Sequence, residues 1–141
     1  MPRTGKCLCG SVEIKITAEH NDVGTCHCEM CRRWSSGPYM AVHVGTDMEI
    51  KGAKNITAYK SSDWAERAFC KKCGSNLYYK LLGNGEYMLS AGLLEDQQGM
   101  KLINQIFVDE QPDFYELANK TIKMTGAEVF AHYAPKDDGD E

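Results

Sequence analysis

The sequence predicts a mainly β protein, because period-2 patterns are clear and helical patterns are few. In "SVEIKIT" (11–17), valine and isoleucines alternate with charged residues, as in a half-buried strand. Residues 39–44 and 48–51 alternate in the same way. An Asn-Gly step at residues 84–85 separates two more strand-like runs, and this dipeptide is a strong hairpin signal. Strands joined by tight turns therefore dominate the prediction.

Helical signals are confined to the last third of the chain. Thr125 and Glu128 have the spacing of a capping box, and apolar residues then recur at helical spacing before Pro135. This predicts one short helix near the C-terminus. The segment 112–118, "PDFYELA", opens with a proline suited to a first helical position and predicts another turn or two of helix.

The length of 141 residues and the absence of a linker rich in Pro, Gly or Ser predict one domain. We place it at residues 1–134. The remaining segment, 135–141 ("PKDDGDE"), is acidic and lacks large apolar residues, which predicts a disordered tail.

The composition limits the cellular compartment and the classes of binding partner that we expect for this protein. No apolar run approaches the roughly 20 residues that span a bilayer, and no apolar leader precedes Cys7, so we expect a soluble protein of the cytoplasm. A net charge of −4 and a pI near 5.6 give no basic patch for a nucleic acid. We expect neither nucleic acid nor membrane as a partner.

Seven cysteines fall in close pairs and one triple, a spacing typical of metal sites in reducing compartments. "CLCGS" and "CKKCGS" both run from a cysteine pair through Gly-Ser into a strand. Glycine at this position lets the preceding sulfurs turn towards one ion. The repeat therefore predicts one closed four-ligand site, a structural zinc, at Cys7, Cys9, Cys70 and Cys73.

The three remaining sulfurs, of Cys26, Cys28 and Cys31, are one ligand short of a closed site. A zinc with three protein ligands keeps its fourth position for water or substrate, as catalytic zinc does. Two alternatives remain: the cysteines are inert or redox-active thiols, or a histidine, His27 or His43, closes the site. The sequence identifies no general acid or base.

The motifs "GKCLCG", "CHCEMCRRWSSG" and "FCKKCGSNLYY", in this order, resemble the glutathione-dependent formaldehyde-activating enzyme family, also called S-(hydroxymethyl)glutathione synthase-like proteins. The resemblance spans residues 6 to about 117. It implies an Mss4-like fold of several small coiled antiparallel β-sheets around zinc, with the structural and catalytic zinc sites already assigned. It also implies a carbon-sulfur lyase acting on glutathione and formaldehyde.

Two departures from the family pattern concern the substrate. This chain has "SSGP" at residues 35–38 where members often have SGAP, and Gln105 where members often have a histidine before an Ile-aromatic pair. If that histidine transfers protons or shapes the pocket, another small aldehyde could replace formaldehyde.

Three thiolates leave a zinc cluster at a charge of −1, which makes it a poorer Lewis acid than a zinc held by neutral histidines. We therefore expect the open position to hold a substrate thiol as the nucleophile. Arg32 and Arg33 follow the triple directly and could bind the carboxylates of a glutathione-like thiol. Solvated arginines without a role are the alternative.

Two other functions compete with the enzyme: a non-catalytic zinc scaffold that binds proteins, and a carrier or sensor of zinc. Aromatic residues are expected to pack rather than react: Trp34, Tyr78, Tyr79, Phe107 and Phe114. The charged residues before Cys70 are expected to form a solvated face: Asp63, Glu66 and Arg67.

Overall fold

The structure, a computed structural model, describes residues 2–133. Within this range the chain forms two compact units, residues 2–24 with 40–101 and residues 25–39 with 102–133. The single domain predicted for residues 1–134 stays a prediction, and the predicted tail, 135–141, lies outside the described residues. No helix of the described range is long and apolar enough to cross a membrane.

The predicted mainly β class is confirmed. The strands of residues 2–133 are β1 (Arg3–Lys6), β2 (Glu13–Ile16), β3 (Asp22–Cys26), β4 (Tyr39–Gly45), β5 (Glu49–Lys51), β6 (Ile56–Ser62), β7 (Ala65–Cys70), β8 (Asn76–Leu81), β9 (Tyr87–Ser90), β10 (Lys101–Ile106) and β11 (Ile122–Met124). The helices are α1 (Glu29–Ser35) and α2 (Gly126–Tyr133). Single 3-10 turns occupy Ala53–Asn55, Ala91–Leu93 and Val108–Glu110.

The first unit is built from antiparallel strands. One sheet has the order β1-β2-β5, with Ile14 opposite Ile50. The other strands of the unit run in the order β4-β9-β8-β7-β6, each pairing antiparallel with the next. The predicted hairpin is β8–β9, with the Gly-Asn-Gly sequence in its turn. All three strands predicted from alternation, β2, β4 and β5, are present.

The core of the first unit collects the apolar faces predicted by alternation. Val12, Ile14 and Ile16 are at most 2% exposed, while the charged residues between them face solvent. Val42, Val44, Leu77 and Leu89 belong to the same cluster. Cys7 and Cys70 are also fully buried in it, so two of the candidate ligands are part of the hydrophobic core.

The second unit contains both helices and a parallel strand pair. β10 and β11 run parallel, with Gln105 opposite Lys123, which departs from the antiparallel arrangement that the family resemblance implies. The predicted C-terminal helix is confirmed as α2, and its capping box forms in both directions. The Thr125 amide donates to Glu128 Oε1 at 2.7 Å, and the Glu128 amide donates to Thr125 Oγ1 at 3.2 Å.

The helix predicted for 112–118 is wrong, since the segment is irregular apart from a turn at Asp113 and Phe114. Gln111 Nε2 donates to the Tyr115 carbonyl at 2.6 Å, which occupies an acceptor that a helix would use. Phe114 is 80% exposed, so its predicted packing role is also wrong. A short segment without a buried apolar face gains too little from packing to form a helix.

The solvated face predicted around residue 67 is also wrong in part. Arg67 is only 4% exposed, and its guanidinium lies over the Tyr79 ring, 4.9 Å from the centroid. Its Nε donates to Ser61 Oγ at 3.3 Å. The arginine is therefore an internal part of the β6–β7–β8 region rather than a surface charge.

Candidate metal centres

Four cysteine sulfurs converge in the first unit. Cys7 follows β1, Cys70 ends β7, and Gly10 and Gly74 close the two turns at φ of +80° and +81°. The four Sγ atoms lie within 4.8 Å of one another, with Cys9 3.7 Å from Cys7 and 3.8 Å from Cys70. A tetrahedron with metal–sulfur bonds of about 2.3 Å has edges of about 3.8 Å, so the sulfur spacing fits a zinc-sized ion.

Hydrogen bonds around this group favour thiolates. The Val12 amide donates to Cys7 Sγ at 3.3 Å, and the hydroxyl oxygens of Ser11 and Ser75 lie 3.2 Å from Cys9 and Cys73 Sγ. The Ser75 hydroxyl lowers the pKa of Cys73 to about 5. The Ser11 hydroxyl likewise lowers the pKa of Cys9, whereas burial raises the pKa of Cys70. The serine after each Cys-Gly step thus lowers the pKa of the second cysteine of its pair, Cys9 or Cys73.

The other three sulfurs converge in the second unit. Cys26 ends β3, Cys28 is the N-cap of α1, and Cys31 lies one turn into that helix. The Cys28 amide donates to Cys26 Sγ at 3.5 Å and the Cys31 amide donates to Cys28 Sγ at 3.4 Å. All three sulfurs lie within 4.8 Å of one another. No other cysteine, histidine or carboxylate of residues 2–133 joins this group.

The chemistry of this group fits a bound cation. The neighbouring thiols of Cys28 and Cys31, together with burial, raise the pKa of Cys26 far above its usual value. Three thiolates at this spacing repel one another unless a positive ion lies between them, and a coordinated thiol loses its proton outright. The site therefore matches a metal with three sulfur ligands.

His27 does not close the three-cysteine site. Its ring is fully buried, with Nε2 2.8 Å from Gln105 Oε1 and Nδ1 2.8 Å from the Tyr115 hydroxyl. Both ring nitrogens therefore have partners other than a metal. Along an extended strand, successive side chains point to opposite sides, and His27 lies between two cysteines whose sulfurs face the other way. His43 lies in the first unit, where its Nε2 is 2.8 Å from Glu86 Oε1.

The two arginines of α1 have different surroundings. Arg32 is half-buried, and its Nε donates to the His27 carbonyl at 2.8 Å, which fixes the guanidinium against the cysteine loop. Arg33 has a 76% exposed side chain and pairs with Glu29 one turn earlier, at 2.7 Å. That pairing lowers the pKa of Glu29. Of the two, Arg32 is the one that a hydrogen bond fixes to the backbone of the cysteine loop.

Sequence reasoning missed several residues that support this site. The Tyr115 hydroxyl lies beside His27, and Thr121 accepts a hydrogen bond from Gln105. At the start of α1, Glu110 Oε1 accepts a hydrogen bond from the Glu29 amide at 2.8 Å. In the sequence, Gln105 stands out only as a departure from the family pattern. No spacing rule connects residues 105–121 to a loop some eighty positions earlier, so only the fold brings them together.

Comparison with known proteins agrees with the cysteine pattern. Residues 2–110 match the family model described as glutathione-dependent formaldehyde-activating enzyme. A protein of Schizosaccharomyces pombe named an uncharacterized lyase is 37% identical over 126 residues, covering 89% of this chain and 92% of that protein. A crystal structure of a Rhodobacter sphaeroides protein matches with a TM-score of 0.59 at 25% identity, covering 86% of this chain and 99% of that one. The chain belongs to the glutathione-dependent formaldehyde-activating enzyme family.

Proposed function

We propose that this protein is a zinc-dependent carbon-sulfur lyase that joins a glutathione-like thiol to formaldehyde or another small aldehyde, or catalyses the reverse reaction. The observation that carries the proposal is the three-cysteine group, which no further ligand from residues 2–133 completes. A closed structural site would have four protein ligands. Family membership and the name of the yeast relative support the lyase class.

The two cysteine groups would hold two zinc ions with different roles. Cys7, Cys9, Cys70 and Cys73 would hold a structural zinc inside the core of the first unit, and Cys26, Cys28 and Cys31 would hold the reactive one. A zinc held by the second group would have an open position, and a substrate thiol bound there would be held as thiolate. The seven thiols would stay reduced in the cytoplasm, where we place the protein.

The chain's own contribution is to bind and orient the thiol substrate. A fourth sulfur beside three thiolates adds negative charge, which a fixed cation nearby offsets. Arg32 is such a cation, because its Nε is anchored on the His27 carbonyl, and no other side chain of residues 2–133 engages its outer nitrogens, which can therefore bind a carboxylate. Arg33 is already paired with Glu29 and exposed, so we assign the substrate carboxylate to Arg32.

The experiment compares turnover with the uncatalysed reaction, because the thiol–aldehyde adduct also forms without an enzyme. The Cys28→Ser variant removes a metal ligand but keeps an oxygen that can cap α1, so it should fold and lose all catalysis above background. If wild-type protein with both metals bound turns over the substrates no faster than Cys28→Ser, the enzyme proposal is contradicted. The protein-binding scaffold would then be favoured.

The neighbouring arginines provide a matched pair of variants. Arg32→Ala should raise the KM for glutathione by roughly tenfold or more, since a charge-assisted hydrogen bond is lost. Arg33→Ala should change the KM by less than about twofold, because exposed ion pairs contribute little. Zinc content should be the same in both variants. Equal, small effects of the two substitutions would refute the assigned role of Arg32.

A further inference from the structure

The second unit contains a solvent-open cavity of about 290 Å³ that the proposed zinc chemistry does not use. Its lining comes from β10, β11 and the segment between these strands, and no cysteine belongs to it. The volume is close to the lower end of the range for ligand pockets, roughly 300 Å³, so the cavity has room for a small molecule only.

One wall of the cavity is the parallel strand pair β10–β11. Gln105 lies opposite Lys123 in this pair, and both residues line the cavity. Gln105 is 2% exposed, and its amide is held by Thr121 Oγ1 at 2.9 Å and by His27 Nε2 at 2.8 Å. Because the polar groups of Gln105 already have partners, the exposed Lys123 supplies the charge of this wall.

The other wall is the loop of residues 111–117. Gln111 Nε2 donates to the Tyr115 carbonyl at 2.6 Å, and this hydrogen bond closes the loop on itself. Asp113 and Glu116 are exposed residues of the loop, and both line the cavity. The cavity therefore has a positive charge on its strand wall and two negative charges on its loop wall.

The charges of the two walls do not pair with each other. Within residues 2–133, the side chains of Lys123, Asp113 and Glu116 form no ion pair or hydrogen bond. A ligand with only one charge would be attracted by one wall and repelled by the other. A small zwitterion complements both walls at once, because its carboxylate and its ammonium each have an opposite charge available.

The rest of the lining includes apolar surface. Val108, Pro112 and Leu117 contribute to it, between the charged residues of the two walls. Apolar surface of this kind binds the aliphatic part of a ligand, because contact removes both surfaces from water.

We propose that this cavity binds an α-amino-acid group, with its carboxylate at Lys123 and its ammonium at Asp113 and Glu116. Both contacts are charge-assisted hydrogen bonds, which are stronger than neutral ones. Two kinds of molecule present this group: a free aliphatic amino acid and the glutamyl end of a glutathione-like molecule. The inference goes beyond the proposed function, because recognition of this group involves neither the metal nor a free thiol.

Two probes test the proposal and distinguish the two sources. L-leucine and S-methylglutathione are titrated separately into the nitrogen-15-labelled, zinc-loaded full-length chain, and amide shifts are followed by NMR. The sulfur of S-methylglutathione is blocked, so this probe cannot bind a metal as thiolate. Saturable shifts in β11 and residues 111–117 are expected, and the probe that causes them identifies the source. No saturable shift with either probe, or shifts confined to other residues, would overturn the proposal.

Singly charged relatives of leucine test the need for both charges. Isopentylamine lacks the carboxylate and isocaproate lacks the ammonium. Each should bind at least about tenfold more weakly than the probe that binds, since one charge-assisted hydrogen bond is lost and one wall repels the remaining charge. If either binds as tightly as that probe, the cavity recognises a single charge and the proposal is wrong.

Variants assign the binding to the two walls. Lys123→Gln should weaken binding of the probe by at least about tenfold, and so should Asp113→Asn combined with Glu116→Gln. Lys120→Gln is the matched control, because Lys120 is exposed and lies outside the cavity lining, and it should change the affinity less than about twofold. Equal affinities of Lys123→Gln and Lys120→Gln would refute the carboxylate site. Turnover is not a readout in these experiments, so either proposal can fail while the other stands.

Discussion

Asp47 shows how a single side chain organises the end of the β2 strand. Its carboxylate accepts from the Thr17 amide and hydroxyl, the Ala18 amide and His20 Nε2, all within 3.1 Å. The hydrogen bond from the Ala18 amide, together with the smaller effects of the hydrogen bonds from Thr17 and His20, holds the pKa of Asp47 well below its usual value. No sequence motif marks this residue, because its donors lie about thirty positions earlier.

Replacing Asp47 with asparagine should therefore lower the free energy of unfolding at pH 7 by roughly 1 kcal/mol. A carboxyl whose folded pKa is depressed stabilises the fold above its unfolded pKa of about 4, and this contribution is lost as the pH falls towards the folded pKa. The difference between wild type and Asp47→Asn should then be constant from pH 7 to 5 and shrink below about pH 4. Urea unfolding of both proteins across this range measures it, and a pH-independent difference would count against the ionised network.

At the scale of elements, α1 is the helix that the sequence did not reveal. It is only seven residues long and has one buried side chain, Cys31, so the sequence has no apolar periodicity that would predict this helix. It forms because Cys28 caps its first turn and Glu110 accepts the Glu29 amide. It ends at Ser36, which adopts a left-handed conformation with φ of 64°, and the Ser36 amide donates to the Arg32 carbonyl at 2.7 Å.

This helix end provides a paired test with two neighbouring serines. Ser36→Gly should stabilise the protein by about 0.5 to 1 kcal/mol, because glycine adopts the left-handed conformation without strain. Ser35→Gly, inside the last helical turn, should destabilise it by a few tenths of a kcal/mol to about 1 kcal/mol. Chemical denaturation of the zinc-loaded variants measures both. If both glycines destabilise the protein, Ser36 does not hold the left-handed position in solution.

For the whole molecule, local sequence patterns predicted the strands in which apolar residues alternate with polar ones, the β8–β9 hairpin and α2. They failed at residues 112–118, which have no buried apolar face to stabilise a helix, and at Arg67, which Ser61 and Tyr79 of the neighbouring strands hold inside the unit. The grouping of the cysteines could be read from spacing and from the Cys-Gly-Ser repeat. The contacts of His27 with Gln105 and Tyr115 could not, because they join residues that no local rule connects.

The two metal sites should contribute differently to folding. Cys73→Ser should unfold the protein, because a structural zinc supplies roughly 10 to 16 kcal/mol, comparable with the whole stability of a domain. Cys28→Ser should stay folded with one zinc per chain. Zinc content together with circular dichroism measures both. A folded Cys73→Ser protein would contradict the structural role of the four-cysteine site.

The proposed reaction requires that the three-cysteine site bind a metal with one position open to a substrate thiol. Cobalt substitution tests it most directly, because Co(II) absorption reports the number of sulfur ligands. We expect two Co(II) ions per chain and a stronger sulfur-to-cobalt band when glutathione is added, with no such change in Cys28→Ser. A single ion per chain, or a second ion whose spectrum ignores glutathione, would contradict it.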